Sequence, residues 1–188
     1  MIKRTSSNSG ICRGFTLIEA IATIVLLSIL GTFGSLIILN STESYIDATT
    51  VSQLHSELSI SLDRIVRELR KIELDSGAAG VAPDIDSVTT TSIAWRDSDG
   101  DAYSLSLSGT NLMLVVNGGA SNILLSDVTG FTLGTYDESN DLLPSSLSGA
   151  ACDPIRRVEI SITLTRQSVS ETLGTKLLIR STMSGVNA

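Results

Sequence analysis

Cysteine, proline, histidine and tryptophan are all scarce in this chain. Among 188 residues there are 2 cysteines, 3 prolines, 1 histidine and 1 tryptophan. The cysteines are Cys12, near the amino end, and Cys152. If the amino-terminal leader is cut away, Cys152 stands alone, which excludes an internal disulfide and leaves a free thiol as the expectation. The absence of proline before Pro83 removes the strongest helix breaker from the first eighty residues. The lone His55 falls within a helical pattern, where a Ser-His-Asp site has no pocket to form in. No small-x-small cleavage site closes the first apolar run, so an ordinary secretory signal is not expected. Internal repeats and a low-complexity tail are absent as well.

Charge of one sign is also missing from one place. The leader, residues 1–14, carries Lys3, Arg4 and Arg13 and no acid. The whole chain has 13 Lys and Arg against 20 Asp and Glu, net −7. Without the leader, 10 bases face 20 acids, net −10. So acidic a remainder repels phosphate backbones, and nucleic-acid binding is not expected. The mean hydropathy of +0.29 comes from one block, Phe15 to Leu39, interrupted by few polar residues. As a helix of about 1.5 Å per residue it crosses a hydrocarbon core of about 30 Å. The basic leader before it, with Glu43 and Asp47 after it, predicts a cytoplasmic amino terminus and an extracytoplasmic carboxy-terminal domain by the positive-inside rule.

Within that block Glu19 is out of place. An ionised side chain at bilayer depth costs roughly 2.5–3.5 kcal/mol on insertion scales. The residue therefore demands a partner, and a partner implies an assembly.

Beyond Leu39 the pattern becomes amphipathic. Val51, Leu54, Leu58, Leu62, Ile65, Leu69 and Ile72 recur at helical steps, with Val66 widening the stripe. Glu57, Asp63, Arg64, Arg67 and Lys71 are spaced for pairs along the helix. The segment Asn40–Ser44 is its expected weak point. A loop over Asp75–Asp86 follows, and then the period changes to two. Strands are predicted over Ser87–Trp95, Ala102–Ser108, Asn111–Val116, Asn122–Leu125, Val128–Tyr136, a segment through Val158–Leu164, and Lys176–Met183. The fold class is α+β: a long amino-terminal helix whose second half covers the apolar face of an antiparallel sheet. The expected divisions are a leader over 1–14, a membrane or filament-core helix over 15–39, its amphipathic continuation over 40–74, and a β-domain over 75–188.

The string Arg13-Gly14-Phe15-Thr16-Leu17-Ile18-Glu19, with its basic leader and apolar continuation, resembles the processing site of type IV prepilins and pseudopilins. The resemblance implies a pilin-like fold. It implies cleavage after Gly14 by a membrane prepilin peptidase, methylation of the new amine of Phe15, and pairing of Glu19 with the Phe15 amine of a neighbouring subunit. Gly14 leaves a protease cleft unobstructed. An amine and a carboxylate in low dielectric offset each other's desolvation only when both are present. The implied partners are that peptidase, other pilin or pseudopilin subunits, an inner-membrane assembly platform and the membrane itself, with no cofactor and no catalytic role. The implied location is the bacterial inner membrane, then a filament of a type IV pilus or of the pseudopilus of type II secretion.

A more diffuse resemblance, carried by Leu62–Leu69, Leu125–Phe131 and Tyr136-Asp137, is to minor pilins and pseudopilins of the J/PilW type, found at filament tips. Two rival classes stand beside this reading. One is a membrane-anchored binding module for calcium, DNA or a surface, the other an exported hydrolase with a signal anchor. Asp97, Asp99 and Asp101 match a calcium loop only in part: an EF-hand needs Gly near Ala102 and Glu near Ser108, so a hairpin turn is the expectation. Asp137, Glu138 and Asp141 read as a solvated acidic loop, Arg64, Arg67 and Lys71 as a solvated basic face, and Trp95 as core.

Overall fold

A computed structural model describes residues 16–78 and 80–180. Helix α1 runs Leu17–Leu69, and nine strands follow it among the described residues. The chain divides into two compact units, residues 1–46 and 47–188.

In the first unit the described residues are helical from Leu17 onward, unbroken through Gly31, Gly34 and the Asn40–Ser44 segment. The expected weak point is therefore intact. Thr42 and Ser44 donate their hydroxyls back to the carbonyls of Ile38 and Asn40 at 2.8 and 2.9 Å, so both are satisfied within the helix, at the small cost such back-bonding carries. Large apolar side chains cover the surface of this unit; 14 of them between Leu17 and Leu39 stand exposed. Burying one such side chain contributes about 1.5–3 kcal/mol. Covering them all contributes on the order of 20–40 kcal/mol, beyond the ~5–15 kcal/mol net stability of a typical domain. A cover for this segment is a physical requirement.

In the second unit the remainder of α1 lays Leu54, Leu58, Leu62, Ile65 and Leu69 into a core with both sheets. Val51, assigned to the same stripe by its spacing, is 40% exposed and stays outside it. The helix ends at Leu69 rather than Ile72: Lys71 N donates to Glu68 O and Ile72 N to Leu69 O, a tightened last turn. Ile72 then forms a bridge with Asp97.

The β part holds two antiparallel sheets. Six strands lie in the order β5-β4-β3-β2-β1-β7 and three in the order β6-β8-β9. The first sheet comprises β1 Ile85–Val88, β2 Ser92–Arg96, β3 Ala102–Ser108, β4 Asn111–Val115, β5 Asn122–Leu125 and β7 Leu147–Ser148. The second comprises β6 Val128–Tyr136, β8 Arg157–Arg166 and β9 Val169–Leu178.

Two strand expectations need correction. The predicted strand over Ser87–Trp95 is a hairpin, turned where Thr89 N donates to Ser92 O at 2.7 Å and the two hydroxyls meet at 2.8 Å. The predicted last strand over Lys176–Met183 begins earlier, at Val169. It turns back from β8 through Gln167 and Ser168, whose φ values are 50° and 67°, a left-handed pair that lacks the glycine or asparagine such turns favour.

Alternation does the packing. On β8 Val158, Ile160, Ile162 and Leu164 are all fully buried while the intervening side chains face outward. On β6 the register shifts between Val128 and Gly130. A Cβ at Gly130 would lie 3.1 Å from the Thr163 side chain, a close approach that favours glycine. Trp95 is fully buried and stacks on Tyr103 with ring centroids 5.7 Å apart, so it is core as expected.

Candidate functional site

Gly14 and Phe15 lie outside the described residues, and the description of the amino end begins at Thr16. Thr16 stands as the N-cap of α1. Its carbonyl accepts from Glu19 N and Ala20 N, each at 3.1 Å, and its Oγ1 receives Glu19 N at 3.4 Å. Thr16-Leu17-Ile18-Glu19 thus has the spacing of a capping box, with the acid at the third helical position. That position has an electrostatic consequence. The unpaired N–H groups of a helix start favour negative charge, and Glu19 is the acid in the first turn. Its side chain is exposed in the isolated chain, where a partner can reach it.

The other polar groups of this segment are satisfied from within. Thr23, Ser28, Thr32 and Ser35 donate to the carbonyls of Ala20, Ile24, Ser28 and Gly31 at 2.8–2.9 Å. Their hydroxyls therefore ask nothing of a hydrocarbon surrounding, where an unmet donor costs several kcal/mol. Glu19 differs from them in kind.

The acidic turn at Asp97 is self-contained. Asp97 Oδ1 accepts the N–H groups of Asp99 and Asp101, both at 3.0 Å. Burial alone pushes the Asp97 carboxyl up. A hydrogen bond from Tyr103, the Asp101 and Asp99 N–H groups and the nearby Lys71 charge outweigh it and hold the group below its ordinary range. Asp97, Asp99 and Asp101 are thus brought together as the predicted hairpin turn. The loop of Asp137 and Asp141 repeats the pattern: Asp137 Oδ1 accepts Asp141 N at 2.8 Å, while Arg157 donates to the carbonyls of Asp137 and Glu138. Among the described residues no group of three or more His, Cys, Asp or Glu side chains is arranged to hold a metal ion.

His55 sits on exposed helix surface with Nδ1 3.0 Å from Glu171 Oε1, a contact to β9 rather than part of a catalytic cleft. Cys152 is buried and free; burial, then the charges of Asp153 and Asp86, push its thiol up, away from the thiolate that reactive cysteines need.

Of the pairs that the spacing allows along the helix, one involving Lys71 forms. Lys71 pairs with Glu68 at 2.7 Å. Glu57 instead reaches across to β8, where Arg166 binds both its oxygens at 3.1 and 3.2 Å and also holds Asp127 at 2.9 Å. Asp63, Arg64 and Arg67 form no ion pair among the described residues. The signal for Arg166 lies in contacts far apart in the chain, which local spacing does not contain.

With this geometry in view, comparison with known proteins adds one finding at the amino end. Residues 11–35 match the family model described as the prokaryotic N-terminal methylation motif. The comparison with curated proteins returned no match. The matched segment contains Gly14, Phe15, the Thr16 cap, Glu19 and most of the apolar helix surface, and it supports a type IV pilin-like precursor carrying a class III signal.

Proposed function

We propose that this protein is a minor pilin or pseudopilin, a structural subunit without catalysis of its own. The observation that carries the reading is the methylation motif over residues 11–35, set on a helix whose apolar surface stands exposed among the described residues. A class III signal implies processing by a prepilin peptidase and assembly with pilin-like subunits in general. In our reading the peptidase cuts after Gly14 and methylates the amine of Phe15. The chain is then held in the inner membrane with its amino end inside, until its helix is drawn into a filament. There the Glu19 carboxylate of one subunit meets the Phe15 amine of another. The attraction matters because both groups are out of water, and either one alone would be left uncompensated. Residues 15–39 then form the membrane or filament core, 40–74 the continuing helix and 75–188 the outward β-domain, in a tip position of the J/PilW type.

Two measurements test this. Mass spectrometry of the protein from its native membrane is expected to show a chain beginning at a methylated Phe15; an intact Met1 end in cells that contain the peptidase would refute the reading. Glu19→Val is expected to be processed normally and to enter filaments poorly. Incorporation at the unmodified level would remove the carboxylate–amine pairing.

A further inference from the structure

Among the described residues the two sheets of the second unit end in four edge strands, β5, β7, β6 and β9. Three of these edges are guarded. β7 is two residues long. β5 is four residues long, and its pairing with β4 shifts register between Leu112 and Met113. β6 is held near both ends, where Val128 N donates to Thr110 O and Leu143 N to Thr135 O. Short strands, bulges and covering segments are the usual protections of an open edge.

β9 has none of them. It is ten residues long, contains no proline, and pairs with β8 without a shift along its whole length. In such a ladder every second residue turns its N–H and C=O away from the neighbouring strand. No other segment among the described residues takes up those of β9. Its two charges do not guard the edge either. Glu171 is drawn to His55 of α1 at 3.0 Å, and Lys176 lies 3.3 Å from the centre of the Tyr136 ring. The core is also open along this side. Val66 of α1 and Val169 and Leu173 of β9 pack against it and stay half-buried. Val66 and Leu173 line a groove of about 210 Å³ between α1 and β9, with Ser59 and Asp63 on the helix side and Gly174 and Thr175 on the strand side.

We propose that the free edge of β9 binds an extended segment of another protein by strand addition, a segment with apolar side chains at alternate positions and one base on the same face. Backbone hydrogen bonds to β9 supply the affinity, and the groove beside it supplies the selection. The apolar side chains cover Val66 and Leu173. The base meets the carboxylate of Asp63, which is exposed and has no ion pair among the described residues. A second copy of the chain is the poorer occupant. β9 turned upon itself presents the carboxylate of Glu171 on its inner face, where a base is wanted, and β5 carries no charge. The contact goes beyond the role proposed above, because it uses neither the Gly14 site, nor Glu19, nor the apolar half of α1.

The test uses the full chain in neutral detergent micelles and a synthetic peptide of about nine residues, with valine at alternate positions, one central lysine in the same register and threonine between. Anisotropy of the labelled peptide is expected to show saturable binding. Hydrogen exchange is expected to slow about tenfold over residues 169–178 and to stay unchanged over 122–125. A peptide with N-methylated backbone amides keeps its side chains but loses its donors, and is expected to bind about tenfold more weakly or less. D63K is expected to weaken binding about fivefold, and glutamate in place of the peptide's lysine to recover it. T175K points a charge inward from the edge, a guard that natural sheets use, and is expected to abolish binding. Because Asp63 is exposed, D63K gives the answer even if T175K fails to fold by circular dichroism. A peptide that does not bind, a methylated peptide that binds equally well, an affinity indifferent to D63K, or protection over 122–125 instead would each overturn the proposal. So would protection of β9 in the peptide-free chain that disappears on deletion of residues 181–188, since the chain would then cover its own edge.

Discussion

Glu19 and Asp97 show how two acids of one chain come to different ends. Asp97 is 9% exposed and answered by its own turn, by Tyr103 and by Lys71. Its carboxyl is depressed, so its contribution to stability is complete above the ordinary carboxylate pKa of about 3.9 and is lost as pH falls through the lower folded value. Asp97→Asn is expected to cost about 1 kcal/mol near neutral pH, with the gap between variant and parent closing below about pH 4; urea unfolding across that range checks it. A gap that widens on acidification would mean that the ionised form is not the stabilising one. Glu19 has the cap of Thr16 behind it and no side-chain partner among the described residues. Its oddity is legible in the sequence, because an acid four residues into an apolar run is chemically costly wherever it sits. The capping-box spacing of Thr16 and Glu19 is present in the same string, but two residues make a far weaker signal than the long apolar run around them.

At the scale of elements, periodicity was a good guide where one face is buried. The stripe Leu54, Leu58, Leu62, Ile65 and Leu69 is core as its spacing predicts, and Leu58→Ala is expected to cost about 2–5 kcal/mol, measurable by denaturant unfolding. Val51 departs from the same rule: it is 40% exposed although its neighbour Thr50 is buried. Turns without glycine were the weak point. Thr89–Thr91 reads as β-branched strand and is a bend closed by hydroxyls. Gln167 and Ser168 hold left-handed backbone without the residues that suit it, at about 1 kcal/mol or more each. Replacing them by Asn and Gly is expected to raise stability by about 1 kcal/mol or more, read as a higher melting temperature. An unchanged or lower value would argue against strain at that turn. The side-chain contacts from α1 to the sheets, Glu57–Arg166 and His55–Glu171, link residues 109 and 116 positions apart. No local pattern encodes such partners.

For the molecule as a whole, the α+β class was legible because two periods, first 3.6 and then 2, divide the chain cleanly. The split of the β part into six- and three-stranded sheets was not, since strand order depends on contacts between distant segments. The second unit has its own core, with Trp95, Ile65, Ile160 and Ile162 fully buried. A chain beginning at Asp47 is therefore expected to stay in solution without detergent and to unfold cooperatively by circular dichroism; a broad, non-cooperative transition would show that the preceding helix is needed for folding.

The inward-turned hydroxyls of Thr23, Ser28, Thr32 and Ser35 have one last consequence. A rod whose donors are already occupied can exchange acyl chains for the side chains of sister rods with little polar rearrangement, so that transfer is close to neutral for most of its length. On the reading proposed above, the direction of travel then falls to the carboxylate of Glu19 near its tip, and a subunit altered there is expected to linger in the bilayer, intact and correctly folded, with nothing to draw it out.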